Sequence, residues 1–273
     1  MEAENAYGFQ RRLEFAARAI ESRRPRNVLD LGCGTGAYLL APLARRFKAV
    51  EFVGVDSDAV SIAAAQREAN LPNVRLFLAA AWPARERFDL VIASEVIEHV
   101  ESPPDFLAQI AERLADRGLL LLTLPNGYGA AEWAGVAEFV LKSSGIYPLL
   151  RAVKRALISA APAGEVARDS YAVSPHINFF AYGEILRLIR SAGFSVVDYQ
   201  PRGLLCGFGW DLLVRGARLT ALNQRVVDRL PPGFAADWMF LVEGGGVAVR
   251  TAYRAGVYAR LRRWMNAKLA RAA

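Results

Sequence analysis

Between residues 26 and 124, short apolar runs alternate with segments whose apolar residues recur every three or four positions. The runs cover 27–31, 50–55, 74–78, 88–93 and 118–124, and the periodic segments between them cover 37–47, 58–69 and 105–115. Strands that are apolar throughout and separated by helices belong to a parallel sheet covered on both faces. A further helix is predicted at 1–25, with Phe9, Leu13, Phe15 and Ile20 as inward positions and Pro25 as its stop.

From 127 to 174 the alternation breaks, over a stretch far longer than an ordinary strand-to-helix loop. It is aromatic and basic in places (Tyr128, Trp133, Phe139, Tyr147, Arg151, Lys154, Arg155), and 147–160 reads as an amphipathic helix. Long insertions at the carboxyl edge of such a sheet act as lids or substrate walls. The alternation then resumes with a helix at 182–192 closed by Gly193, a strand at 194–199, a helix at 211–230 and a strand at 237–242. The expected fold is α/β: a Rossmann-like, doubly wound, seven-stranded sheet, mostly parallel with the last strand antiparallel. It carries a lid at about 127–175 and a basic C-terminal helix, giving one domain at 1–246 and a tail at 247–273.

The chain has 273 residues, 53% of them hydrophobic and 22% charged, with two cysteines. That is enough apolar material for a large core without disulfides, and Cys33 and Cys206 form neither a disulfide framework nor a zinc site. No stretch has the apolar length of a membrane span, and residues 1–12 lack the apolar core of a signal peptide. The expected location is cytoplasmic.

The formal charge of +7 is confined to one place. Residues 247–273 carry seven basic side chains (Arg250, Arg254, Arg260, Arg262, Arg263, Lys268, Arg271) and no acidic one, so 1–246 is neutral. Tyr253, Val257, Leu261, Trp264 or Met265, and Leu269 recur at helical spacing between the arginines. Such a helix either docks by its apolar stripe with solvated arginines or makes peripheral contact with an anionic membrane at its inner face.

The strongest chemical signal is Val28-Leu29-Asp30-Leu31-Gly32-Cys33-Gly34-Thr35-Gly36, where the first strand turns into the first helix of the sheet. Glycines there allow close backbone approach to a ligand, and the helix start offers unpaired N–H groups. The second strand ends in Gly54-Val55-Asp56, placing an acid about 20 residues on, where it can accept both ribose hydroxyls. Together they specify an adenosine-containing ligand. Gly32-x-Gly34-x-x-Ala37 also satisfies a dinucleotide fingerprint, but a carboxylate at Asp30 suits an ammonium group better than a pyrophosphate. For Asp56 a helix-capping role is the competing reading, one that Ser57 or Asp58 can fill instead.

VLDLGCGTG (28–36), VGVD (53–56), FDLVIASEVIEHV (88–100), GLLLLTLPN (118–126) and HINFFAYGEILRLIRSAGFSVV (176–197) together resemble the class I S-adenosylmethionine-dependent methyltransferases. The match is closest to the subgroup containing ubiquinone-biosynthesis O-methyltransferases and many small-molecule or glycan methyltransferases. The resemblance implies S-adenosylmethionine as cofactor. By it, Asp30, Gly32, Cys33, Gly34, Thr35 and Gly36 hold the methionine part, and Asp56, with Ser57 beside it, holds the ribose. The 79–81 stretch around Ala80 meets the adenine, and Ser94 and Glu95 line the methionine side. The chain departs from the pattern at Ala79-Ala80-Ala81-Trp82, where many members have an acid; backbone groups and the Trp82 ring are the replacements on offer.

Methyl transfer from a sulfonium is an in-line displacement in which positioning and exclusion of water do most of the work, with a base added for a hydroxyl acceptor. The two histidines, His99 and His176, both fall at the carboxyl edge, and His176, directly after the lid, is the first choice on the acceptor side. The competing role for His176 is a hydrogen bond to the lid backbone. If 95–99 is helical, Glu95, Glu98 and His99 share a face, and in some ubiquinone-pathway members the matching residues are described as metal ligands. The competing and favoured reading is a local network beneath the cofactor.

The fourth strand ends in Ala93-Ser94-Glu95-Val96, without the Pro-Pro-Tyr pattern of the nucleic-acid amino-methylating enzymes. With a neutral body as well, nucleic acid is not an expected partner. The expected activity is methyl transfer to a hydroxyl of a small molecule, lipid intermediate or glycan. A nucleotide-dependent oxidoreductase and a non-catalytic cofactor-binding module at the membrane surface are the alternatives.

Overall fold

The computed structural model of the chain describes residues 6–83, 86–129, 132–133, 136, 139–140, 144, 176–204, 217–246, 248–249 and 253–272. The strands are β1 (Asn27–Leu31), β2 (Glu51–Asp56), β3 (Val74–Leu78), β4 (Phe88–Ser94), β5 (Leu114–Pro125), β6 (Phe194–Pro201) and β7 (Asp237–Gly244). They form one sheet in the order β3-β2-β1-β4-β5-β7-β6. Neighbours from β3 to β5 run parallel, and β7 runs antiparallel to both β5 and β6. The described helices are α1 (Ala6–Arg23), α2 (Leu40–Arg46), α3 (Ala59–Glu68), α4 (Pro103–Arg113), α5 (Tyr182–Ser191), α6 (Ala217–Val227) and α7 (Val257–Ala272).

Successive strand side chains point to opposite faces, and both faces are covered. Val28, Phe52 and Ile92 join Phe15 and Ile20 of α1 and Leu40 and Leu43 of α2 on one side. Leu29, Val91 and Phe240 join Leu107 and Ile110 of α4 and Ile185 and Ile189 of α5 on the other. Each such aliphatic side chain contributes roughly 1.5–3 kcal/mol on burial. This double cover is why the runs are apolar throughout rather than alternating.

Sequence reversal in the strand order falls between β1 and β4, so a crevice opens at their carboxyl ends. The glycine turn leaves β1 at this crevice, and Ser94-Glu95 leaves β4 at it.

Two of the boundaries that differ from the periodicity have a local cause. The helix after β1 starts at Leu40, not 37, because Gly36 has a φ of +72° and Leu39 brings no side-chain cap. The helix expected at 105–115 starts earlier, with prolines in its first turn, and stops at Arg113, since Leu114 is already extended and pairs with Phe88. The amphipathic segment expected at 147–160 and the first part of the 211–230 helix lie outside the described residues.

Candidate active site

Gly32, Gly34 and Gly36 have φ values of +79°, +54° and +72°. The turn is closed from beneath by Val55, whose carbonyl accepts from Gly32 N at 2.8 Å and Cys33 N at 3.1 Å. Asp56, buried at the end of β2, accepts from Gly34 N at 2.8 Å through Oδ2 and from Asp58 N at 2.8 Å through Oδ1. The cap of α3 is Asp58, which accepts from Val60 N and Ser61 N. Asp56 is therefore not spent on the helix. A carboxylate, with about four lone-pair sites, is the kind of acceptor that ribose hydroxyls require. Asp30 is buried in β1 immediately before the turn, in register with Gly54 on one side and Ile92 on the other. A turn with a closely approached backbone and an acid across from it fits an adenosine moiety.

The 79–81 stretch is a short 3₁₀ turn whose three alanines are exposed, leaving its backbone accessible. The Trp82 ring packs against Phe88, with the Arg113 guanidinium carbon 4.5 Å from its centroid.

At the end of β4 the chain reverses through Glu95, a non-glycine residue with a φ of +58°. Its amide donates to the Thr123 carbonyl at 3.0 Å, and its Oε1 accepts from Thr123 Oγ1 at 2.8 Å. Arg12 of α1 donates to Ser94 Oγ at 3.1 Å and lies 3.7 Å from Glu95 Oε1. Arg202 lies 3.8 Å from Glu95 Oε2 and pairs with Asp237 at 2.6 Å. Burial alone would push the Glu95 carboxyl up, but Arg202, Arg12 and the Thr123 hydroxyl hold it below its ordinary value. Burial, together with Arg202, lowers the Arg12 guanidinium to about 10.

The left-handed backbone at Glu95 overturns the helical-face expectation for Glu95, Glu98 and His99. Residues 97–99 form a turn, and Glu95 is directed to the arginines. Of the three residues weighed for a divalent cation, only Glu98 and His99 fall in one cluster of ligand-type atoms among the described residues. Glu98 and His99 meet His176 instead: ligand-type atoms of these three lie within 4.8 Å of one another, and the two imidazoles meet edge to face at 5.0 Å between centroids. Both carboxyl oxygens of Glu98 are buried with no hydrogen-bond partner among the described residues. Burial, and then the nearby Glu95, push its carboxyl up to about 8. His176 Nδ1 is 2.9 Å from Glu132 Oε1. Burial opposes the charged imidazole, but Glu132 and Glu98 outweigh it and raise it to about 9. Two imidazoles and a carboxyl this close together offer ligand-type atoms and also suit proton handling.

Asn178 joins the two parts of this cluster. Its amide and that of Ile177 both donate to the Glu98 carbonyl at 2.9 Å, and its side chain donates to the Ile97 and Val100 carbonyls. Among the described residues, the lid group that meets the His176 ring is the Glu132 side chain.

The last helix docks only in part by the expected stripe, of which Met265 faces in. Ala259, Arg262 and Met265 are buried, Arg262 at 4% exposure, whereas Val257, Leu261 and Trp264 are 74%, 52% and 50% exposed. Arg262 donates to Glu132 Oε2, and Arg263 donates to the Ile177 carbonyl and to Asn178 Oδ1. Buried carboxylate and carbonyl acceptors demand donors, and that demand turns the helix so that arginine rather than the leucine stripe faces in. Tyr258 stacks on Tyr128 at 4.6 Å.

Of the residues expected at the site, the structure places Asp56 against the glycine turn and His99 against His176. Sequence reasoning missed Arg12, Arg202, Glu132, Asn178 and Arg262. Arg12 lies one turn from the inward Phe9 and Phe15, a weak signal; the others come from segments whose approach no local pattern specifies.

Residues 1–199 match the family model described as a methyltransferase domain. Over 138 residues the chain is 34% identical to the ubiquinone biosynthesis O-methyltransferase of Rhodopseudomonas palustris (strain BisB5), covering 48% of this chain and 53% of that protein. Over 101 residues it is 40% identical to (S)-coclaurine N-methyltransferase of Papaver somniferum, covering 35% and 28%. The chain spans about half the length of the ubiquinone-pathway relatives it matches. A Galdieria sulphuraria structure assigned as a sarcosine dimethylglycine methyltransferase superimposes with a TM-score of 0.53 at 15% identity, over 86% of this chain and 85% of that one. PKMT2 from Rickettsia typhi gives 0.52 at 13% identity, over 84% and 51%. At these identities the two structures speak for the fold.

Proposed function

The chain belongs to the methyltransferase-domain family, and on that premise we propose that it transfers a methyl group from S-adenosylmethionine to a hydroxyl of a small-molecule, lipid or glycan acceptor. The observation that carries the reading is contiguity: the glycine turn and the turn bearing Glu98 and His99 touch, with Val96 packed against Gly32. A ligand cradled at 32–36 thereby presents its reactive end beside the carboxyl-imidazole cluster. Nothing in the family match supports the oxidoreductase alternative.

When bound, the cofactor would supply an electrophilic methyl group, the C–S bond breaking with its electron pair on sulfur as the acceptor oxygen bonds to carbon. Gly32 to Gly36 and Asp30 would hold the methionine part, and Asp56 would hold the ribose. Arg12 and Arg202 hold Ser94 and Glu95 at the end of β4. His176 is committed to Glu132 and keeps its proton. His99, with Nε2 at 3.9 Å from Glu98 Oε1, is left to take the proton of the acceptor hydroxyl. General bases contribute about 10²–10⁴-fold to such steps.

The test is direct. Calorimetry is expected to show S-adenosylhomocysteine binding at roughly micromolar affinity or tighter. Labelled-methyl transfer to lysate fractions, separated into lipid, glycan, protein and small-molecule pools, identifies the acceptor class. Absence of binding, or binding unchanged in Gly34→Arg, overturns the reading.

No described helix is long and apolar enough to cross a membrane. The peripheral contact expected of the tail is proposed for the outward face of α7, where Leu261 and Trp264 are exposed beside Arg260 and Lys268. A full chain carrying Leu261→Glu and Trp264→Glu that sediments with anionic vesicles as well as the unmodified chain removes that contact.

A further inference from the structure

We propose that Arg262, in the last helix, is a positioning residue for the acceptor-side cluster: it fixes Glu132 against His176 and so aims the His176 ring at Glu98 and His99. The proposal rests on the methyl-transfer reading for what the cluster does, and on geometry alone for how it is held.

Three segments far apart in sequence meet here. Glu132 is buried and divides its carboxylate, Oε1 at 2.9 Å from His176 Nδ1 and Oε2 accepting from Arg262. Arg262 is itself buried and lies over the Phe179 ring, 5.2 Å from its centroid. A guanidinium is a rigid fork, and a carboxylate held by one has little freedom to rotate away from its second partner. The adjacent contacts grip the same backbone: Arg263 donates to the Ile177 carbonyl and to Asn178 Oδ1, and Asn266 Nδ2 donates to the His176 carbonyl at 3.3 Å. Ile177 and Asn178 in turn bind the Glu98 carbonyl. The order of action therefore runs from α7 through 176–178 to the turn carrying Glu98 and His99. The basic character of the last segment is, at Arg262 and Arg263, internal to the site.

The groups facing His176 are Glu132, Glu98 and Glu95 among the acids, His99 as the neighbouring ring, and Arg262 behind Glu132. This set makes Arg262 separable from simple electrostatics. If Glu132 stayed in place, loss of the cation would raise the His176 titration midpoint; if Arg262 holds Glu132 in place, loss of it lets the carboxylate swing off and the midpoint falls.

With only two histidines in the chain, carbon-13 labelling of the imidazoles gives two titrating signals, assigned with His99→Gln. In the full-length protein the His176 midpoint is expected to fall from about 9 towards its ordinary 6.5 in Glu132→Gln. It should fall by a similar amount in Arg262→Met, which keeps an apolar stem on Phe179, and no further in the double variant. Arg262→Lys, which keeps the charge without the fork, falls less. Cooperative unfolding checks that each variant is folded. A midpoint in Arg262→Met equal to or above that of the unmodified chain overturns the proposal, as do additive falls in the double variant. If Arg262→Met does not fold, Arg262→Lys decides, and a midpoint there at or above the unmodified value overturns it. S-adenosylhomocysteine binding is measured in parallel: its absence from the unmodified chain defeats the methyl-transfer reading while leaving the titration cycle to judge Arg262.

Discussion

Val96 occupies the space that a side chain at residue 32 would need: a Cβ on Gly32 would come within 2.5 Å of Val96 Cγ2. Gly32 also has a φ of +79°, a conformation that costs an L-residue roughly 1–2 kcal/mol. The glycine turn and the turn carrying Glu98 and His99 are thus packed on each other through one glycine. Gly32→Ala must strain its backbone and displace Val96 together. S-adenosylhomocysteine affinity is expected to drop at least ~10-fold, a change of ~1.4 kcal/mol, with a smaller loss of stability. Calorimetry showing undiminished affinity would place the cofactor elsewhere.

Asp56 ties two amides, Gly34 N and Asp58 N, to the end of β2 at 2.8 Å each. In Asp56→Asn one oxygen becomes a donor and faces one of those N–H groups. Hydrogen bonds to a charged acceptor contribute about 1.5–3 kcal/mol, so affinity for S-adenosylhomocysteine should fall roughly 10- to 100-fold. Asp58→Asn, at the cap of α3, should leave affinity nearly unchanged and lower stability slightly. Equal effects of the two on binding would return Asp56 to a capping role.

The contrast between these neighbours shows how much of the site was legible in the sequence. Val28, Leu29, Asp30 and the glycines carry their meaning locally, because a strand buried on both faces and a turn that needs positive φ both restrict residue type. Glu95 is the opposite case. Its spacing to Glu98 and His99 matches a helix, yet Thr123 and two arginines hold its backbone left-handed and carry its side chain away. The last segment is a mixed case. Tyr253 and Met265 of its apolar stripe face in, but Val257 and Leu261 do not, and the acceptors Glu132 and Asn178 instead meet Arg262 and Arg263. Tertiary partners outrank periodicity where a buried polar group must be satisfied.

Arg12 is buried and bound to Ser94, with Glu95 at 3.7 Å. Removing one partner of a buried ion pair costs about 3–5 kcal/mol, most of it from the charge left behind. Here Arg202 still faces Glu95, so Arg12→Met should destabilise by a smaller ~2 kcal/mol. Denaturant unfolding measures it. In the double variant with Glu95→Gln the loss should be less than additive, and strict additivity would show that the two side chains do not communicate.

His99 is assigned the acceptor's proton, with Nε2 3.9 Å from Glu98 Oε1. His99→Gln should lower kcat about 10²–10⁴-fold once the acceptor pool is known, with S-adenosylhomocysteine affinity unchanged. A fall in affinity with kcat preserved would instead make His99 a wall of the cofactor pocket.

Glu98 gives the sharpest pH dependence. Its carboxyl is buried without a hydrogen-bond partner among the described residues and is pushed up to about 8, by burial first and by Glu95 second, from an ordinary value of 4.5. Between those two pH values the native state holds a proton that the unfolded chain has released, so stability falls as pH rises through that interval. His176 acts in the same direction at higher pH: its folded value near 9 exceeds the ordinary 6.5, so its contribution is complete below 6.5 and lost as pH rises through 9. Glu95 and Glu132, both held below their ordinary values against the effect of burial, lose their contributions on the acid side. Stability should therefore peak near pH 5 and decline towards pH 9. Glu98→Gln removes the first decline, so its advantage over the unmodified chain should be near zero at pH 4.5 and grow to ~1–3 kcal/mol by pH 8. Methyl transfer should fall in the same variant, since a group that costs stability at its working pH is retained for what it does there. Denaturant midpoints that differ by a constant amount from pH 5 to pH 9 would show that Glu98 does not hold its proton in the folded protein.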